Sequence, residues 1–401
     1  MNILYIAYSC SPYGGSEEAI GFNIPIEMSK NNNVYVITKE ESRKSIEQFL
    51  STNKLNVKFF YVDIRKIYKK IFKGCFYSGR LNIWNREALM LAKKLNKSIQ
   101  FNIIHQITPI ELRAIGKYYT ISNAKFVVGP LGGGEYIPTG LRCSLTFKQR
   151  SIELVRKFLN VWKIFVYKVS GINKKIDYVY FANNETKKSM NSLKFKRTEI
   201  YNDIGVRKND IGFTFPKYMS NKCCFLICGR LNYRKGHLLL IDAIQRITCK
   251  DCCEFKIVGD GPEYERIKKQ LSNKGLSRFV ELCGSVPYLD IKDYYRKSDV
   301  LIMPSLRETG GTVILEALSN GLPVISGKAY GASTIIDDST GILFDLTGSY
   351  DEIVDRLTSA IEHFCYSNIL NKTRELCLNK SMDFSWGNKA LKYEKDYKEI
   401  I

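Results

Sequence analysis

The chain of 401 residues predicts an α/β protein of two doubly wound Rossmann-like domains facing a central cleft. Short β-branched runs alternate with longer amphipathic stretches, the pattern of βαβ units and parallel sheets. The runs form two series, separated by a break rich in turn residues. Glycines cluster directly after several of the runs, where open α/β sheets bind ligands.

The first series is NILYIAY, NVYVIT, VKFFYV, NIIHQ, FVVGP and YVYFAN. The break follows at 202–220, where Asn202, Asp203, Gly205, Gly212 and Pro216 gather. A second series then runs through CCFLICGR, FKIVGD, VLIMPS and PVISG. The expected domains are therefore 1–205 and 206–380, with 381–401 as a C-terminal helix packing back on the first.

Composition narrows the class. Hydrophobic residues make up 45% and charged residues 25%, ordinary values for a globular protein. No apolar run approaches the roughly 18 residues that span a bilayer. The start, MNILYIAYSC, lacks a basic n-region and reads as a buried strand rather than a signal peptide. Twelve cysteines in so long a chain, with adjacent pairs at Cys223-Cys224 and Cys252-Cys253, read as reduced thiols of a cytoplasmic protein. Cys249 and Cys252 form one CxxC without a second pair at zinc-ligand spacing, so no metal site is expected.

The net charge of +21 is unevenly spread. Residues 1–205 carry 33 Lys+Arg against 15 Asp+Glu, whereas 206–401 carry 28 against 25. The first half is expected to meet something acidic: nucleic acid, an anionic membrane or a lipid diphosphate. In DIRKIYKKIFKGC, Ile64, Ile67, Tyr68, Ile71, Phe72 and Cys75 share one helical face. Arg65, Lys66, Lys69, Lys70 and Lys73 share the other, as in an interfacial membrane helix or one packed on its own domain. FKQRSIELVRKFLNVWKIFVYKV repeats the basic-aromatic theme.

The densest chemistry lies in RETGGTVILEAL, Arg307 to Leu318. Glu308 and Glu316 flank a Gly310-Gly311-Thr312 turn that opens an amphipathic helix. A helix N-terminus offers free N–H groups and a positive dipole end to an anion such as phosphate. A phosphate seat between two hydroxyl-binding acids describes a sugar nucleotide; a capped surface helix with two solvated glutamates is the plain alternative. Arg230 and Lys235, with Gly236, follow the strand FLICG, and two cations there suit a diphosphate.

Weaker signals come from the first half. SPYGGSEEAIGFN places Gly14 and Gly15 before Ser16, a candidate cap for the helix carrying Glu17 and Glu18. It is either a phosphate-approaching turn or a mere turn. His105, at a strand end expected to face the cleft, is either a ligand or a hydrogen-bonded structural histidine. GPLGGGEYIP sets Gly132, Gly133 and Gly134 before Glu135, a run suited to close substrate approach on the acceptor side or to a simple loop. In IVGDGP, Asp260 reads as a turn residue. No GxGxxG or Walker motif occurs.

Taken in order, these runs resemble GT-B glycosyltransferases, specifically retaining enzymes of glycosyltransferase family 4. The resemblance covers the Gly14-Gly15 loop, His105, GPLGGGE, GRLNYRKG, IVGDGP, PSLRETGGTVILEALSNGLPVIS and a terminal DFSW…LKYEKDY helix. The glutamates match that family's Glu-x7-Glu motif in register with Arg230 and Lys235. GPLGGGE with LRETGG is similar to a subgroup building bacterial capsule, O-antigen or exopolysaccharide. The first loop departs from relatives that carry a proline at the helix start.

The resemblance implies that Glu316 holds ribose hydroxyls, and that Glu308 with Gly310, Gly311 and Thr312 holds the donor sugar and diphosphate. Arg230 and Lys235 would neutralise the phosphates, Gly15 would approach them, and Gly284 to Val286 would cradle the base. His105 is counted with the catalytic group. It implies a metal-independent transfer without a cofactor or dedicated protein nucleophile. The implied partners are a nucleotide sugar, a polyprenyl-diphosphate-linked saccharide and an anionic membrane at the inner face, but no nucleic acid. The rival readings are a nucleic-acid-binding protein and a non-catalytic glycosyltransferase-like subunit.

Overall fold

A computed structural model describes residues 1–53, 55–64, 77–212, 222–287, 290–366 and 370–401. They form two units: Met1–Gly134 with Phe158–Gly205 and Trp386–Ile401, and Glu135–Lys157 with Val206–Ser385.

The first unit holds β1 (Asn2–Ala7), β2 (Asn33–Lys39), β3 (Val57–Val62), β4 (Ile103–Thr108), β5 (Lys125–Leu131), β6 (Tyr178–Phe181) and β7 (Thr198–Ile200). They make one parallel sheet in the order β3-β2-β1-β4-β5-β6-β7. The direction of winding reverses between β1 and β4, the switch point of a doubly wound fold. Helices α1 (Ser16–Met28), α2 (Arg43–Thr52), α3 (Tyr77–Ile99), α4 (Phe147–Ser170) and α5 (Asn184–Ser189) follow in chain order, α4 lying in the second unit up to Lys157.

Two apolar layers sandwich this sheet. One gathers Trp84, Tyr118, Phe126 and Phe181; the other gathers Phe22, Tyr180, Tyr393 and Tyr397. The cap of α1 is Gly15 rather than Ser16: the Gly15 carbonyl accepts from Ala19 N at 2.8 Å and no side chain caps the helix. Ser16 is the first helical residue instead.

The second unit has β8 (Cys223–Cys228), β9 (Cys253–Val258), β10 (Val280–Gly284), β11 (Val300–Met303), β12 (Val324–Gly327) and β13 (Gly341–Phe344). Their order is β10-β9-β8-β11-β12-β13, all parallel, with the switch point between β8 and β11. Its helices are α6 (His237–Arg246), α7 (Tyr264–Asn273), α8 (Ile291–Arg296), α9 (Thr312–Ser319), α10 (Ala332–Ile335), α11 (Tyr350–Tyr366) and α12 (Leu370–Asp383). Residues 135–157 join this unit because Leu141 and Leu145 enter its core and Tyr330 donates to the Tyr136 carbonyl at 3.0 Å.

The last helix, α13 (Trp386–Ile400), belongs to the first unit and packs on α1. Its buried Lys389 donates to the Asn202 carbonyl at 2.7 Å and stands 4.1 Å from the centre of the Tyr201 ring. The basic helix expected over 64–75 lies outside the described residues beyond Ile64.

Candidate functional site

Of the residues expected to hold a sugar nucleotide, Arg230, Lys235, Glu308, Gly310, Gly311, Thr312 and Glu316 lie in the second unit, in the segments that follow β8 and β11. The loop after β8 runs from Gly229 through a 3-10 turn at Tyr233–Lys235 to Gly236, where α6 begins. The Asn232 side chain caps that turn, accepting from Arg234 N at 3.1 Å. The loop after β11 approaches until Leu306 N donates to the Arg234 carbonyl at 2.7 Å. Gly236 is required at this crossing: its φ is +72°, and a Cβ would lie 1.9 Å from the Pro304 carbonyl oxygen.

Lys235 and Glu308 form an ion pair across the switch point, and both side chains are mostly buried. Burial works to raise the Glu308 carboxyl. The Lys235 charge and hydrogen bond, the Arg234 charge and the Thr309 amide more than offset it, leaving the group below its usual value. Glu308 therefore stays a carboxylate. Arg230 is exposed, and no ion pair engages it among the described residues. It is a cation open to an incoming anion.

α9 begins beside this pair. Its cap is Gly311 with φ +84°; no side chain caps it, and within the first turn Ile314 N donates to the Gly311 carbonyl at 2.9 Å, while Thr312 and Val313 precede any partner inside the helix. Glu316 sits one turn further on. Tyr295 OH donates to its Oε2 at 2.8 Å. Burial raises the Glu316 carboxyl against the lowering effect of Tyr295, with Asp210 raising and Lys292 lowering it. The Cys228 thiol, at the end of β8, is pushed up to about 12 by burial and by the Glu316 charge.

At one edge of the sheet, Gly284 ends β10 with φ +68°, and its carbonyl accepts from Gly259 N at 2.7 Å. Val286 follows half-buried. Asp260 acts in the turn, its Oδ1 accepting from Gly261 N at 2.6 Å.

Three residues that the sequence reading overlooked organise this site. Glu153 accepts from Tyr233 OH at 2.8 Å and pairs with Arg307 at 3.0 Å, tying both loops to α4. Tyr295 orients Glu316, and the Arg234 carbonyl joins the loops. A lone Glu, Tyr or Arg in a helical or turn pattern carries no signal of such partners.

His105, expected with the catalytic group, is placed in the first unit, apart from the residues of the β8 and β11 loops. It lies wholly buried in the first unit, with Nδ1 2.5 Å from Tyr397 OH and Nε2 2.6 Å from the Gly129 carbonyl oxygen. Burial holds its pKa down to about 3, against the lift from Gly129. Both ring nitrogens are engaged, so no proton transfer to a ligand is available. Glu135, expected on the acceptor side, is also fully buried: its carboxylate lies 3.5 Å from Arg156, which donates to its carbonyl at 2.6 Å. It is a buried counter-ion to Arg156.

The remaining glycines belong to the first unit. Gly133, with φ +88°, accepts at its carbonyl from Asn160 at 2.8 Å, and Gly134 N donates to Thr186 Oγ1 at 3.2 Å. Gly15 is exposed, with open space around the Cβ position. Cys249 meets Cys253 and Cys365, the three sulfurs within 4.8 Å of one another, while Cys252 is exposed. Contact with Cys365 and burial both push the Cys253 thiol above its ordinary value.

The chain is similar to several known proteins. Residues 216–373 match the family model "Glycosyl transferases group 1". The Saccharomyces cerevisiae phosphatidylinositol N-acetylglucosaminyltransferase GPI3 subunit is 28% identical over 237 residues, 55% of this chain and 50% of that protein. A GDP-mannose-dependent alpha-(1-6)-phosphatidylinositol monomannoside mannosyltransferase of Mycolicibacterium smegmatis is 32% identical over 146 residues, 34% of this chain and 37% of that one. The chain thus spans about half the length, or less, of these curated relatives.

Among solved structures, Anabaena HepE in complex with UDP matches with a TM-score of 0.63 at 17% identity, each chain covered in full. Sucrose-phosphate synthase from Thermosynechococcus elongatus matches with 0.65 at 16%, covering 100% of this chain and 99% of that one. The fold is GT-B, and residues 216–373 are similar to the group 1 glycosyl transferases.

Proposed function

We propose that this protein transfers a sugar from a nucleoside-diphosphate sugar, held at the β8–β11 crevice, to a saccharide on a lipid diphosphate. The product would be bacterial surface polysaccharide such as capsule or O-antigen, made at the inner face of the membrane. The observation that carries the reading is the Lys235–Glu308 pair at the switch point, beside an uncapped helix N-terminus and one turn before Glu316.

Each group has a chemical task. The α9 amides and Lys235 meet the diphosphate, and Arg230 supplies a second, exposed cation. Negative charge grows on that diphosphate as the sugar departs, so fixed cations there stabilise the transition state more than the bound donor. They take the part that a divalent ion would otherwise play, and turnover should survive a chelator. Glu316 accepts from ribose hydroxyls and Glu308 from the sugar, with attack on the face from which the diphosphate leaves and no protein nucleophile.

UDP in the Anabaena relative supports a nucleotide donor, and both curated relatives act on phosphatidylinositol lipids, which supports a lipid-borne acceptor. The GPI3 relatives are named as subunits, which favours one second reading, a non-catalytic partner of another enzyme. Donor hydrolysis separates the two: slow release of sugar from UDP-, GDP- or ADP-sugars without acceptor is expected. Nucleotide binding with no hydrolysis and no transfer would favour the subunit.

A further inference from the structure

Helix α4 has two apolar faces, and only one of them is used by the first unit. The inner face buries Asn160, Ile164 and Tyr167, with Asn160 donating to the Gly133 carbonyl at 2.8 Å and Tyr167 OH accepting from Ile115 N at 3.1 Å. On the other face Phe158, Val161, Trp162, Phe165 and Val169 recur at three- and four-residue steps, each between 55% and 72% exposed. Five such side chains along about three turns form an apolar strip that an exposed surface would not keep bare without a use.

The charges around the strip decide its partner. Between Glu153 and Asp177 the chain carries six Lys or Arg and no acid. Lys157, Lys168, Lys174 and Lys175 among them are exposed. A second copy docking through the same strip would set positive charge against positive charge, whereas an anionic lipid surface is complementary. Aromatic side chains beside lysines suit the headgroup level, where rings enter the acyl boundary and ammonium groups stay at the phosphates. No helix among the described residues is long and apolar enough to cross a membrane, so the helix lies on the surface.

From this we infer that α4 is a membrane-docking helix that inserts Phe158, Trp162 and Phe165 into an anionic lipid surface. The inference deepens the reading of a lipid-borne acceptor and rests on it only for the purpose of docking; the docking itself stands on the strip and its charges.

The three tryptophans supply a native probe, because Trp84 and Trp386 are buried and only Trp162 is exposed. The full-length protein is mixed with phosphatidylcholine vesicles, with and without phosphatidylglycerol. Binding to the anionic vesicles should shift tryptophan emission to the blue, and acyl-brominated lipid should quench it. Trp162→Phe should still sediment but lose the spectral change. Phe158→Glu/Trp162→Glu/Phe165→Glu should lower vesicle partitioning by at least about tenfold, as expected for loss of the apolar share of interfacial binding. Circular dichroism and nucleoside-diphosphate protection should stay unchanged.

Sedimentation without any change at Trp162 would overturn the inference, as would no binding at low salt. So would a dimer that the triple substitution dissolves, or a protein partner that protects Trp162 in place of lipid. Vesicle binding without nucleotide protection would leave the docking intact and sink the donor reading instead.

Discussion

Replacing Lys235 and Glu308 singly and together separates a structural ion pair from a functional one. Lys235→Met leaves the Glu308 carboxylate, 18% exposed, without its cation. A fully buried pair broken on one side costs about 3–5 kcal/mol and an exposed pair about 0–1, so this pair should cost about 1–3. Uptake of a proton by Glu308 limits the loss, since burial then dominates and raises its pKa. At about 2–4 °C per kcal/mol for a unit of this size, melting should fall by roughly 2–12 °C. Adding Glu308→Gln removes the stranded charge, and stability should return to within about 1 kcal/mol of the parent. Turnover should not return: one lost cation at the diphosphate costs about 2–4 kcal/mol, or roughly 30- to 900-fold in kcat/KM. Differential scanning fluorimetry and donor turnover measure the two effects. A double variant that recovers both stability and turnover would show that the pair only holds the loops together.

Gly236→Ala should destabilise by well over the ~1 kcal/mol of left-handed strain alone, because its Cβ meets the Pro304 carbonyl; Gly275→Ala, with φ +66° and open space, should show only the strain. Equal melting losses would contradict the crossing of the loops. His105 and His237 are held neutral by burial at about 3 and about 4, so the unfolded chain gains protons below about 6.5 that the fold refuses. Their stability is present above that value and lost as pH falls, by about 2 kcal/mol each at pH 5. His105→Gln should halve that pH-dependent loss in denaturant titrations while leaving donor binding intact; a lost donor response in a folded variant would reinstate a catalytic role. Glu316→Gln should weaken donor affinity more than kcat, since ribose is remote from the breaking bond, and a fixed donor Kd with collapsed kcat would refute its place.

The two sheets were legible because most of their strands are compact β-branched or aromatic runs. The three strands that went unread, β7, β10 and β13, are all sheet edges of three to five residues, paired on one side and partly exposed. The loops after β8 and β11 were legible because each is one contiguous stretch, and they meet where Leu306 N donates to the Arg234 carbonyl. The surroundings of His105 were not legible because every residue of β4 is buried, so position in the strand says nothing of which side chains surround it. Its partner Tyr397 lies 292 residues away on a helix with no periodic signal pointing to β4. The surroundings of Glu135 were hidden in the same way: Arg156 neutralises it from α4, and a glycine run alone could not show that. Residues 135–157 join the second unit through Leu141 and Leu145, across a stretch with no composition shift to mark the change.

The central claim is that the β8–β11 crevice binds a nucleoside diphosphate through Lys235 and the α9 N-terminus. The most direct test is calorimetric titration of the protein and of Lys235→Met/Glu308→Gln with UDP, GDP and ADP and their sugars. One base family should bind the parent, and ligand at about a hundred times its Kd should add about 2.7 kcal/mol of stability. The charge-free double variant, folded and stable, should bind at least about tenfold more weakly, a loss of about 1.4 kcal/mol. Equal affinity in the two proteins, or no nucleotide binding by the parent, would contradict the account.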